Sequence, residues 1–171
     1  MQKFCITFAG CVGSSKTPIS NYISTKLNLP IFNNDAIRSE VIENIGFLDI
    51  EKHRKIRNER LQEILESGIS FIADISVDRE RENFKEKLSE HGYIWFIIST
   101  DLSKDLLIRL YKAKGYDESL QRLDTIFQDH EKFLEKFSDD IGLQIGDEQF
   151  LNRLALSFNA VKQFIDNIVT K

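Results

Sequence analysis

Residues Lys3–Thr17, K-F-C-I-T-F-A-G-C-V-G-S-S-K-T, decide how this chain folds. Phe4–Ala9 is a short apolar run of aromatic and branched residues, the pattern of a buried strand. Gly10 and Gly13 break it, and Lys16-Thr17 opens a segment with helical spacing. The order is therefore strand, glycine loop, helix. Against the phosphate-binding pattern GxxxxGK(S/T), Gly10, Lys16 and Thr17 fall in register, with Ser15 in place of the second glycine. A loop of small residues so placed turns its backbone N–H groups around a phosphate, helped by the positive end of the helix dipole. Gly10, Cys11, Val12, Gly13, Ser14, Ser15, Lys16 and Thr17 are the candidate ATP-binding residues. Lys16 is expected on the β- and γ-phosphates and the Thr17 hydroxyl in the Mg²⁺ shell. The plain alternative is a strand-to-helix turn whose lysine lies on the surface.

Two residues depart from the pattern. Ser15 takes a position where glycine relieves backbone crowding, and an unfavourable backbone region costs about 1–3 kcal/mol. Pro18 has no N–H, so the amide that normally follows the hydroxyl residue and helps hold the α-phosphate is missing. Proline suits the first turn of a helix, so the departure bears on nucleotide affinity and not on the fold.

Outward from the loop, Ile19, Tyr22, Ile23 and Leu27 mark one face of a helix ended by Asn28-Leu29-Pro30. Ile31-Phe32 reads as a short second strand emptying into Asn33-Asn34-Asp35. A helix from Ala36 to about Asn44 stops at Gly46. Asp49–Glu66 is a helix dense in charges of both signs, so Arg54, Arg57 and Arg60 either form a solvated face or line a substrate groove. Ile69–Asp74 and Tyr93–Ile98 read as buried strands around a helix from about Asp78 to His91. Further helices are expected from Ser103 to Lys114, from Glu118 to Phe137 without a break, and from about Asp147 to Val169. Ile141–Ile145 is a short last strand. Strands alternating with helices in this way require a parallel sheet covered on both faces, with right-handed crossovers.

The 171 residues suit one domain, 1–171, with 42% hydrophobic residues and a core leaning on thirteen phenylalanines. A net charge of −4 argues against broad affinity for nucleic acid, which needs a basic surface. Cys5 and Cys11 read as free thiols, too few for a disulfide framework. His53, His91 and His130 lack metal-ligand spacing and are expected at the surface. With no signal peptide or membrane span in the pattern, a cytoplasmic setting is expected.

With GCVGSSKT, Asp35 in NNDAIR and Asp74 closing FIADIS, the sequence resembles the small P-loop kinases, the group of polynucleotide 5′-hydroxyl kinase, zeta toxins and gluconate-kinase-like proteins. The resemblance implies a three-layer α/β/α architecture with a parallel five-stranded sheet in the order 2-3-1-4-5. It also implies transfer of the ATP γ-phosphate to a hydroxyl with Mg²⁺, an acceptor-side helical region at about 35–67 and a lid at about 109–122. Asp35 then takes the hydroxyl proton or orients that oxygen, or else merely caps the helix that follows. Arg38 would hold an acceptor phosphate or carboxylate, Arg81 would assist on the acceptor side or be a plain exposed helix residue, and Asp74 would bind Mg²⁺ through water or simply end its strand. Arg109, Lys112, Lys114 and Arg122 flank the Gly115 turn as lid cations, while the position of the group's second lid arginine is Ala113. The expected function is an ATP:alcohol phosphotransferase acting on a small metabolite or a nucleic-acid end, the acidic charge favouring the small molecule. Ser15, Pro18 and Ala113 also suit a nucleotide-binding module without turnover, or an interaction domain that binds no nucleotide.

Overall fold

The computed structural model describes residues 2–170. The chain runs β1 (Lys3–Gly10), α1 (Lys16–Leu27), β2 (Ile31–Asn33), α2 (Asn34–Ile45), α3 (Ile50–Ser67), β3 (Phe71–Ser76), α4 (Arg81–Glu90) and β4 (Tyr93–Thr100). It continues through α5 (Lys104–Lys114), α6 (Asp117–Gln121), α7 (Leu123–Phe137), β5 (Ile141–Ile145) and α8 (Arg153–Val169). The five strands form one parallel sheet in the order β2-β3-β1-β4-β5, as expected.

β1 is the central strand and is buried from Phe4 to Gly10. Successive side chains of a strand point to opposite faces, and β1 divides its residues accordingly. Phe4, Ile6 and Phe8 pack with Ile19 and Ile23 of α1 and Val161 of α8. Cys5 and Ala9 pack on the other face with Leu61 and Leu65 of α3, Phe84 and Leu88 of α4, and Phe133 of α7. A third cluster, Cys11, Leu102, Leu107, Tyr111 and Leu123, seats α5 and the start of α7 over the carboxyl ends of the strands. That seating brings the segment around Gly115 beside the glycine loop. Fully burying each such apolar side chain contributes about 1.5–3 kcal/mol.

Several boundaries differ from the sequence reading, each for a local reason. β3 continues past Asp74 to Ser76, and Val77 N–H still donates to Phe8 C=O at 2.9 Å. α4 starts at Arg81, because Asp78 is turned toward the glycine loop. The expected helix Glu118–Phe137 breaks at Arg122, the shared cap of α6 and α7. α8 begins at Arg153, since the Asp147 carboxylate accepts the Ser103 N–H (2.9 Å) and hydroxyl (2.5 Å) instead of starting a helix. β5 forms despite Gly142, where a side chain would collide with the Phe96 ring. His130 is 2% exposed, so it is a core residue and not a surface one.

The charged face of α3 is tied up in ion pairs. Arg57 donates to both Glu80 oxygens at 2.7 Å, and Arg60 donates to both Glu40 oxygens at 2.8 Å. Among the described residues no helix is long and apolar enough to cross a membrane.

Candidate active site at the glycine loop

The loop between β1 and α1 is held by bonds to β3, to the turn that follows it and to β4. Gly10 has φ +128°, and a Cβ there would lie 2.7 Å from the Thr100 carbonyl oxygen, so the backbone approach admits only glycine. Gly10 N–H donates to both Asp78 carboxylate oxygens, at 3.1 and 3.2 Å. The Ser14 hydroxyl bonds Thr100 Oγ1 at 2.5 Å and donates to Cys11 C=O at 2.7 Å. Lys16 Nζ reaches back across the loop to donate to the Gly10 and Cys11 carbonyls at 2.7 and 2.5 Å. Burial lowers the proton affinity of Lys16, opposed by Asp78, Cys11, Asp74 and Asp35. Burial pushes the Cys11 thiol up to about 11, so it is a packing residue and no thiolate nucleophile.

Ser15 is left-handed, with φ +84° and ψ +20°, the conformation that the pattern's glycine would supply without cost. Its hydroxyl accepts a 2.6 Å hydrogen bond from Arg153 Nε at the start of α8. The loop thus retains the backbone shape that the sequence pattern demands, and a distant arginine secures the exception.

A cleft of about 300 Å³ opens above the loop, lined by Lys16, Thr17, Asp35, Asp74, Lys114 and Tyr116. Asp74 is raised above the ordinary carboxylate range by burial, which the Thr17 hydroxyl and Lys16 partly offset. Asn33 Nδ2 donates to Asp74 at 3.3 Å while Asn33 Oδ1 accepts the Ala36 N–H at 2.9 Å. Asn33, and not Asp35, is therefore the cap of α2. Asp35 is exposed in the first turn of α2, with its carboxylate free of the capping role.

A second cleft of about 620 Å³ adjoins the first and shares Val12, Ser76 and Glu80 with it. It carries Arg38, Arg79 and Arg122. Arg79 is bound to Asp129 at 2.6 Å, whereas among the described residues Arg38 and Arg122 have no carboxylate partner.

No protein-family model and no curated protein sequence matches this chain. Solved structures do match it. A gluconokinase from Sinorhizobium meliloti 1021 superposes with a TM-score of 0.66 at 16% identity, over 99% of this chain and 97% of that one. An APS kinase from Mycobacterium tuberculosis, solved with AMPPNP and APS, gives 0.63 at 13% identity over 94% and 98%. A shikimate kinase from Bacteroides thetaiotaomicron gives 0.59 at 16% identity over 95% and 98%. This is the P-loop kinase fold.

Within the P-loop kinase fold of this chain, the residues singled out from sequence divide into three groups. Lys16, Thr17, Asp35 and Asp74 meet in the smaller cleft, and Arg38 and Arg122 line the larger one. Arg109 is exposed on α5 and lines neither cleft, nor does Lys112. Of the cations expected on a lid, Lys114 reaches the loop and donates to Gly13 C=O at 2.6 Å. Arg81 corrects the acceptor-side expectation. It pairs with Asp140 and Glu82, stacks 4.2 Å from the Phe137 ring centroid, and so ties α4 to the end of α7 away from both clefts.

Asp78, Arg79, His130 and Arg153 belong to the site or its support, and sequence reasoning passed over them. A β3 ended two residues early hides Asp78 and Arg79 inside a helix. His130 and Arg153 reach the site through contacts that no local pattern encodes.

Among the described residues no group of three His, Cys, Asp or Glu side chains forms a metal cage. One carboxylate, Asp74, beside one hydroxyl, Thr17, is a sparse set of hard oxygen donors. It fits Mg²⁺, which keeps most of its shell as water and phosphate oxygens.

Proposed function

We propose that this protein transfers the γ-phosphoryl group of ATP to a hydroxyl of a small anionic metabolite. The observation that carries the reading is the continuity of the two clefts. A cradle holding Lys16, Thr17, Asp35 and Asp74 shares Val12, Ser76 and Glu80 with a cavity bearing Arg38 and Arg122, neither of which has a carboxylate partner among the described residues. Sites of open α/β sheets form at the carboxyl ends of the strands, which is where all these residues lie. The gluconokinase, shikimate kinase and APS kinase of similar fold are each named for a small-molecule acceptor, which favours a metabolite over a nucleic-acid end.

In this mechanism the loop amides and Lys16 bind the β- and γ-phosphates. Arg38 and Arg122 hold the acceptor by its phosphate or carboxylate and aim its hydroxyl at the γ-phosphorus. The acceptor oxygen forms a bond to that phosphorus as the bond to the bridging oxygen of ADP breaks, and Asp35 takes the hydroxyl proton before passing it to water. Lys114 and Tyr116 cover the loop and limit water entry. Mg²⁺ held by Thr17 and, through water, by Asp74 would supply charge neutralisation on the phosphates.

The test is an ADP-release assay against a panel of phosphorylated and carboxylated alcohols, with product identified by mass spectrometry. Transfer to one acceptor, lost in Lys16→Ala and reduced at least about 100-fold in Asp35→Asn, supports the reading. Transfer that survives Lys16→Ala overturns it, as does a melting temperature indifferent to Mg²⁺-ATP.

A further inference from the structure

The loop departs from its pattern at Ser15 and Pro18, which removes a glycine free to be left-handed and one amide donor. One side chain, Arg153, meets the first of these positions directly. Arg153 Nε donates to Ser15 Oγ at 2.6 Å, its Nη1 donates to Phe150 C=O at 2.8 Å, and its guanidinium lies 4.2 Å from the Phe150 ring centroid. Its Nη2 has no hydrogen-bond partner among the described residues, nor does any carboxylate pair with the group.

Lys114 approaches the same loop from the end of α5 and also lacks a carboxylate partner among the described residues. Lys114 Nζ donates to the Gly13 carbonyl and Arg153 Nε to the Ser15 hydroxyl, two residues apart on one loop, and burial together with the charge of Arg153 lowers the proton affinity of Lys114. Like charges packed against a loop without a counter-ion are stabilised when an anion joins them.

The topology says which part of a polyphosphate Arg153 would meet. Asp35 and Asp74 lie at the ends of β2 and β3, on one side of β1, so the transferred group belongs there. Arg153 follows β5, on the other side of β1. It therefore faces the end of the polyphosphate remote from transfer.

We infer that Arg153 is a nucleotide-binding residue that holds Ser15 in its left-handed form and gives the α-phosphate the hydrogen bond that Pro18 cannot. The inference rests on the nucleotide-binding reading of the loop. In it, Arg153 moves charge, and not only geometry, into the site.

The experiment is calorimetric titration of the full chain with Mg²⁺-AMPPNP and with Mg²⁺-ADP, in wild type, Arg153→Gln, Ser15→Gly, Pro18→Ala and their pairwise combinations. Arg153→Gln is expected to weaken both ligands roughly 10-fold or more. The loss should persist in the Ser15→Gly background and shrink in the Pro18→Ala background, where the amide is restored. Full rescue by Ser15→Gly would show that Arg153 acts only on loop shape and would overturn the phosphate contact. Unchanged affinity in Arg153→Gln would overturn the whole inference while leaving the nucleotide reading intact. Absence of binding by the wild type would instead overturn the nucleotide reading itself. Circular dichroism and melting of each variant separate lost contacts from lost fold, and Arg153→Lys, which keeps the charge without the fork, is expected to fall between wild type and Arg153→Gln.

Discussion

His130 Nδ1 lies 3.4 Å from the Asp78 carboxylate, the same carboxylate that accepts the Gly10 N–H. The imidazole is buried, stacks on Phe133, and turns its Nε2 toward Asp101 at 3.8 Å without a hydrogen bond. Helix α7 thereby supports the first residue of the glycine loop through a single carboxylate. His130→Phe keeps the stacking but leaves Asp78 short of a buried partner. It should lower stability by about 1–3 kcal/mol in urea unfolding and weaken Mg²⁺-AMPPNP binding in parallel. A variant with full stability and full affinity would show that Asp78 holds the loop unaided.

Gly10 leaves no room for a side chain against Thr100 and sits at φ +128°. Gly10→Ala should therefore either unfold the loop or shift β4, with a loss of about 2 kcal/mol or more. Ala at Gly115, where nothing lies within reach of an added Cβ, should be tolerated better although its φ of +67° is also positive. Equal losses at the two sites would contradict the steric argument.

Asp74 gives a pH signature. Its carboxyl is raised by burial, so the native state keeps the proton to higher pH than the unfolded chain. That contribution to stability is complete below the ordinary carboxylate value of about 4 and is lost as pH rises through the raised native value. Metal-free Asp74→Asn should thus be more stable than wild type near pH 7, with the difference closing in acid. The same variant should lose the extra stabilisation that Mg²⁺ adds to ATP. A metal-free Asn variant less stable than wild type at pH 7 would refute the assignment of burial as the dominant cause.

Arg81 separates support from chemistry. Its side chain is 11% exposed, pairs with Asp140 and covers the Phe137 ring. Arg81→Ala should cost about 2–3 kcal/mol of stability and leave kcat for any identified acceptor close to wild type. Arg38→Ala should do the reverse, raising the acceptor KM with little effect on melting. An Arg81 variant that loses turnover at unchanged stability would restore the acceptor-side role expected from sequence.

The loop and the alternation of strands and helices were legible because both are local. Gly10, Lys16 and Thr17 lie within eight residues, and β1 advertises itself by an apolar run bounded by glycine. The order of the sheet came with the resemblance, since spacing alone fixes parallel pairing and handedness but not which strand is central. Asp35 stayed ambiguous because Asn33 and Asp35 are both good caps, and only the hydrogen bond to Ala36 N–H distinguishes them. Arg81 was placed on the acceptor side by its distance along the chain from Asp74, and only the fold shows that it meets Asp140 and the Phe137 ring instead. His130 reads as a surface residue among the charges of α7, and only the packing of that helix against Asp78 buries it.

The loop is made early and finished late. Its residues are joined to Asp78, Thr100 and Arg153 across 68, 86 and 138 positions of chain. On a ribosome, which releases the chain from its amino end, Lys3–Thr17 therefore waits for three successive arrivals. The carboxylate under Gly10 comes first, then the hydroxyl beside Ser14, and finally the guanidinium that keeps Ser15 in place. Until α8 emerges, a nascent chain carries the phosphate-binding pattern in its sequence without the support that shapes it, so the left-handed turn at Ser15 belongs to the folded chain and not to its growing form.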